Sequence, residues 1–122
     1  MPPGGIASTP RPPYYAAIFT SLRTEGDRGY EHMAQKMFAL AASQPGFLGA
    51  DSVRNPEGLG ITVSYWQSEQ AIADWKANAE HQIAQQTGKN IWYKDYVIRI
   101  AKVERDYGKG HVAHQNATST AR

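Results

Sequence analysis

Cysteine is absent from the chain. Disulfides, thiolate catalysis and Cys-ligated metal sites are therefore excluded, and a reducing, cytoplasmic setting is the expectation. Long apolar runs are missing too. None approaches the roughly 20 residues of a membrane-crossing helix, and the N-terminus lacks the apolar centre of a signal peptide. Nor is there an excess of one charge. Lys and Arg number 13 against 11 Asp and Glu, for a formal charge of +2, and they are interspersed. That is not the cationic stripe that displaces counterions from nucleic acid, so neither nucleic acid nor membrane is an expected partner. The P-loop, the dinucleotide glycine fingerprint, the Ser-centred elbow and HExxH are all lacking.

The chain that remains has 122 residues, 41% of them hydrophobic and 20% charged, an ordinary composition for one soluble domain. Residues 1–13 (MPPGGIASTPRPP) are rich in Pro and Gly with little to bury, and read as an extended or disordered arm. Residues 108–122 are small and polar and read as a tail. The folded unit is expected over about 14–107.

Inside that unit the hydrophobic period changes in a clear order. Residues 14–22 (YYAAIFTSL) are aromatic and β-branched, which suits a strand. Tyr30, Met33, Ala34, Met37, Phe38 and Ala41 recur at spacings of three and four, the stripe of a helix. Gln44-Pro45-Gly46 stops it. Residues 47–54 and 60–66 read as two strands joined by an Asn55-Pro56-Glu57-Gly58 turn, hence an antiparallel hairpin. Gly58-Leu59-Gly60 reads as turn glycine. Ser68 is a candidate N-cap, with Glu69 favourable beside it, for a second helix whose stripe is Ile72, Trp75, Ala79 and Ile83. A last, long strand is expected from about Trp92 to Arg105.

The order β-α-β-β-α-β, with right-handed crossovers, predicts an α+β fold of ferredoxin-like topology: a four-stranded antiparallel sheet with both helices on one face. Both faces of the sheet look apolar. Ile98 and Ile100 oppose Val97, Ala101 and Val103, and Ile61, Val63 and Tyr65 oppose Trp66. Each methylene left in water forfeits about 0.8 kcal/mol. A second copy of the sheet is the simplest cover, so a homodimer is expected, with its non-helical face consumed by the partner.

Few residues suggest chemistry. His111 and His114 form an HxxH in the tail, which lacks the further rigid ligands of a metal site, and no metal is expected. His32 lies off its helix's apolar stripe. His81 falls nearly opposite the second helix's stripe and faces water on an unbroken helix; a break and restart at Asn78, a good N-cap residue, would turn it inward. Trp66, Trp75 and Trp92, with Tyr65, Tyr93 and Tyr96, flank the space between sheet and second helix. Such rings either fill a core or line a small-molecule pocket with their polar tips. Arg54 and Arg99 can hold an anionic or phenolate oxygen, or else sit at the sheet rim or pair with acids across a dimer.

The run at 64–85 (SYWQSEQAIADWKANAEHQIAQ) carries a pattern YW-x-SE-x-AI-x-x-W-K-x-x-x-EH-x-x-AQ. Trp92-Tyr93, Tyr96, Arg99 and Val103-Glu104-Arg105 follow it, and QPGFLGADSVR at 44–54 precedes it. Together they resemble the antibiotic biosynthesis monooxygenase (ABM) family over about residues 14–107. The resemblance implies a dimeric α+β barrel. It also implies activity on planar, electron-rich compounds: oxidation of phenols to quinones without metal or organic cofactor, or opening of the haem ring. The haem-degrading branch uses an Asn on the first strand, a Trp on the second helix and a His ten residues later. Trp75 matches the Trp, but Gln85 stands ten residues on and the first strand has no Asn.

The expectation is therefore a cofactor-independent monooxygenase for a small aromatic or quinol compound, using dioxygen. Trp75 and His81 are the candidate catalytic residues. Tyr65, Trp66, Arg54, Trp92, Tyr96 and Arg99 are the candidate substrate-binding ones. A non-catalytic ligand-binding or sensing domain is the alternative, and haem binding is a third.

Overall fold

The computed structural model of the chain describes residues 5–85 and 92–109, with the side chains of 81–85 left out. Its elements are β1 (Tyr14–Arg23), α1 (Tyr30–Ala42), β2 (Phe47–Arg54), β3 (Leu59–Trp66), α2 (Glu69–Gln85) and β4 (Tyr93–Val103). The strands form one sheet in the order β2-β3-β1-β4, every pairing antiparallel. This is the expected ferredoxin-like α+β arrangement.

Local chemistry accounts for the boundaries. The Ser68 hydroxyl accepts from the Ala71 amide at 3.1 Å and so caps α2, with Glu69 in its first turn. Before α1, Asp27 Oδ1 accepts from the Glu31 amide at 2.9 Å. Gly46 turns the chain from α1 into β2 at φ +87, and a Cβ there would stand 2.8 Å from the Ala71 Cβ. Only glycine permits both that backbone and that approach to α2.

Side chains of paired residues share a face of a sheet, so the register sorts them. Tyr15, Ala17, Phe19 and Ser21 of β1 lie on the face with Trp66, Ser64 and Thr62 of β3 and with Ile100, Ile98 and Tyr96 of β4. Both helices pack here, as the core of Ala17, Ala41, Trp66 and Ile72 shows. Trp66 is wholly buried, stacked on Trp75 with centroids 6.2 Å apart and edge-on to Phe47 at 5.3 Å.

The opposite face carries Tyr14, Ala16, Ile18, Val63, Ile61, Leu59, Val97, Ala101 and Val53. One end is covered by the chain itself. Ala7 donates its amide to Asp51 Oδ1 at 2.7 Å, and Tyr65 donates its hydroxyl to Asp51 Oδ2 at 2.9 Å. Tyr14 donates to Asp106 at 2.6 Å, and Thr9, hydrogen-bonded to both, is buried. The described part of the Pro/Gly-rich segment is thus pinned to the sheet at two carboxylates, a long-range pairing that composition does not reveal. The other end is bare: Val53 is 71% exposed, and Leu59, Ile61 and Val97 are also open.

Replacing Gly46 by Ala should destabilise the fold by about 1–3 kcal/mol, the usual cost of overpacking, read as a lower urea midpoint; an unchanged midpoint would contradict the tight α2 contact. A second expectation concerns alkaline pH. Burial, then the hydrogen bond to Asp51, pushes the Tyr65 phenol up to about 12 from its ordinary 10.0, and Tyr14 is raised by the same kinds of cause. The folded state holds these protons more tightly than the unfolded chain. Their contribution is therefore complete below about pH 10 and is lost as pH rises toward about 12. Tyr65→Phe should flatten that loss in a stability–pH profile.

Candidate active site

The sheet's helix face has two ends about 20 Å apart, six residues along β3 at roughly 3.3 Å each. The Trp66–Trp75 stack occupies one of them. At the other, one rung crosses the sheet: Arg54 of β2, Gly60 of β3, Ser21 of β1 and Tyr96 of β4. Gly60 is buried, and a Cβ on it would stand 2.6 Å from the Arg54 guanidinium carbon. Its bare backbone is the channel through which the Arg54 side chain lies across β3 to reach β1. Gly60 is therefore a strand glycine beneath a cation, whereas Gly58, at φ +101, is the turn glycine expected there.

Arg54 donates to Ser21 O at 3.3 Å, Gly58 O at 2.6 Å, Ser21 Oγ at 2.8 Å and the Tyr30 hydroxyl at 3.3 Å. Tyr30, the first residue of α1, stands between two cations. The Arg23 guanidinium carbon lies 3.7 Å from its ring centroid and that of Arg54 5.7 Å, cation–π geometry in both cases. Arg23 is held in turn by Trp92 O at 2.9 Å and Gly26 O at 3.0 Å. Buried Trp92 donates its Nε1 to Arg28 O at 3.0 Å, tying the start of β4 to the turn before α1.

Tyr93 completes the group. A register shift between Leu22 and Arg23 pairs Arg23 with Tyr93 and Leu22 with Asp95. That bulge puts Tyr93 on the same face as Tyr96, three residues away, where strict alternation would part them. Tyr93 meets Tyr30 edge-on at 5.8 Å and Phe19 at 5.4 Å. Burial raises its phenol well above the ordinary range. Tyr30 adds to the rise by charge and hydrogen bonding, while Arg54 and Arg23 oppose it.

The residues selected from sequence fall into separate places. Arg54, Trp92 and Tyr96 lie at the Arg54 end of the helix face. Trp66 and Trp75 stack at the other end. Tyr65 and Arg99 are on the opposite face, paired with Ala16 and Ile18, and do not share the space beneath α2. The helix α2 runs unbroken from Glu69 to Gln85, without a restart at Asn78. The His81 side chain, and His111 and His114, lie outside the described residues. His32 is exposed. Arg23, Tyr30, Tyr93 and Gly60 are the members that sequence did not select as site residues. Tyr30 read as helix stripe and Gly60 as turn, and no residue pattern announces the bulge.

Phenols, two guanidiniums and the apolar Phe19 and Ile98 make this end suited to a flat ring bearing an oxygen. Comparison with known proteins agrees with the architecture. Residues 13–87 match the family model described as antibiotic biosynthesis monooxygenase. The uncharacterised protein YqjZ of Bacillus subtilis is 53% identical over 100 residues, covering 82% of this chain and 88% of that one. SnoaB, a cofactor-independent oxygenase from Streptomyces nogalater, solved as a mutant, superposes with a TM-score of 0.66 at 12% identity, over 79% of this chain and 98% of that one. MhuD, in a mutant with two manganese protoporphyrin IX bound per active site, gives a TM-score of 0.59 at 20% identity, over 78% and 99%. The last two likenesses speak for the fold alone, but with the family match and the YqjZ identity they leave one conclusion: this chain belongs to the antibiotic biosynthesis monooxygenase family.

Proposed function

We propose that the chain is a cofactor-independent monooxygenase for a small aromatic or quinol compound, bound on the helix face of the sheet. The observation that carries this reading is the Arg54–Tyr30 hydrogen bond at the end of an aromatic row formed by Phe19, Tyr93 and Tyr96. The ring would lie on Phe19 and Ile98, its oxygen toward the phenols and cations. In such chemistry an ionised phenol gives an electron to dioxygen. The two radicals combine, and one oxygen atom leaves as water while the other enters the quinone. The protein's share is to bind the ring, help remove the phenolic proton and stabilise the negative charge. Trp75, partly buried on α2, would border the far end; His81 on the same helix is a weak acid–base candidate, because the break at Asn78 that would turn it inward is absent from α2.

Binding without turnover is a second reading with its own support. Among the described residues, the hydrogen bonds of Arg23, Arg54 and Tyr30 involve no carboxylate side chain and no imidazole, so none of these three is coupled to a base. Haem degradation has less. β1 holds no Asn, and position 85 is Gln rather than His. The MhuD likeness keeps haem as a third reading, which a haemin titration without a Soret shift would remove.

ABM-fold proteins are typically dimeric, and we propose a homodimer here, with the second copy on the bare end of the opposite face. Light scattering should report twice the chain mass, and Ile61→Asp should split it; a wild-type monomer at micromolar concentration would contradict this. For activity, oxygen uptake with a panel of quinols should be saturable. Arg54→Gln should cut kcat/KM by about tenfold or more, as expected when the charged donor that holds the Tyr30 hydroxyl is lost. If Trp75→Phe and His81→Ala both leave turnover unchanged, their assignment is wrong. Saturable binding without oxygen uptake would favour the binding reading.

A further inference from the structure

The donor inventory of the two guanidiniums says which groups meet a ligand. Arg54 has two hydrogens on each terminal nitrogen, and all four are occupied: Nη1 by Ser21 O and Gly58 O, Nη2 by Ser21 Oγ and the Tyr30 hydroxyl. Its Nε lies against Gly60, where a Cβ would come within 2.9 Å. Arg54 therefore has no fork to offer a substrate oxygen. Arg23 is engaged through Nε and Nη2 with the carbonyls of Trp92, Gly26 and Asp27, while its Nη1 meets no acceptor among the described residues, and its plane covers the Tyr30 ring.

Among the described residues every acceptor of these two cations is neutral. Two half-buried positive charges thus converge on one phenol with no carboxylate side chain among their described hydrogen-bond partners. Such an arrangement is costly when empty and favourable once an anion arrives. The groups left to meet that anion are Arg23 Nη1 and the Tyr30 hydroxyl. Tyr30 accepts a hydrogen bond from Arg54, which polarises its own O–H toward donation. Tyr93, in contact with Tyr30, faces the open apolar strip of Phe19, Tyr96 and Ile98.

Resting on the ligand site proposed above, we infer that the Tyr30–Tyr93 pair, with Arg23 and Arg54, is an anion-binding device that selects planar ligands carrying an ionised oxygen. Arg54 and Tyr93 are positioning residues, and the Tyr30 hydroxyl and Arg23 Nη1 are the donors that touch the ligand. Tyr93 donates its hydroxyl hydrogen to Tyr30, and burial together with that bond keeps its phenol protonated well above the ordinary range, so the Tyr30 oxygen is held by two donors and its own O–H points to the ligand. The ionised oxygen can be a phenolate or a carboxylate, and the probes separate the two.

The test uses the full chain without oxygen or turnover, so that its result is independent of whether the protein oxidises anything. Calorimetry would compare 4-nitrophenolate and benzoate with 4-nitroanisole, a neutral analogue of the same shape. At least one anion should bind about tenfold or more tightly than nitroanisole, as a hydrogen bond to a charged group implies. Tyr93→Phe and Arg23→Gln should each lower anion affinity by about tenfold and leave nitroanisole nearly unchanged. Preference for nitrophenolate identifies the phenolate source, and preference for benzoate the carboxylate. Equal affinity for anion and neutral analogue, no saturable anion binding, or equal losses for both ligand types in the variants would overturn the inference. Should Tyr93→Phe lose its fold by circular dichroism, the wild-type ligand comparison and Arg23→Gln decide it.

Discussion

One side chain lying flat across a strand organises one end of the helix face of this molecule. Arg54 begins at the end of β2, passes over β3 where Gly60 has no Cβ, and ends in hydrogen bonds to β1 and α1. It ties two sheet neighbours to the first residue of a helix. The placement of Tyr30 follows from it, and with Tyr30 the edge-on contacts to Tyr93 and Trp92. Any side chain at position 60 would displace the guanidinium, and the phenol it supports would lose its donor.

The sheet divides the remaining tasks between its faces. The helix face holds a packed aromatic core at the Trp66 end and an open aromatic strip over β4, where Tyr96, Ile98 and Ile100 are exposed. The opposite face is closed at one end by the chain's own N-terminal segment, through Asp51 and Asp106, and bare at the other. A partner sheet on that bare end and a ligand on the strip would not compete for surface. The proposed dimer and the proposed ligand site are compatible for that geometric reason.

Much of the fold was legible because hydrophobic period is a strong signal. The stripe from Tyr30 to Ala41, the Ser68 cap and the opposed sets Ile98/Ile100 and Val97/Ala101 are all visible in the residues themselves. The site was only partly legible. Arg54, Trp92 and Tyr96, each chosen for its residue type, lie at one end of the helix face, a grouping that their spacing in sequence does not show. Tyr65 could not join Trp66, because adjacent strand residues point to opposite faces, and Arg99 is parted from Ile98 by the same rule. Tyr93 needed the bulge, and Gly60 needed the knowledge that an arginine crosses it. Both are facts of register, which only the paired sheet contains. Pinning of the Pro/Gly-rich segment likewise depends on carboxylates that lie far away in sequence.

A crystal structure of the full chain with 4-nitrophenolate bound would probe this division most directly. The expected result is the phenolate oxygen within hydrogen-bond distance of the Tyr30 hydroxyl or Arg23 Nη1, the ring on Phe19 and Ile98, and a second copy against Val53, Leu59, Ile61 and Val97. A ligand seated on the opposite face, or beside Trp75 with its oxygen far from both donors, would contradict it.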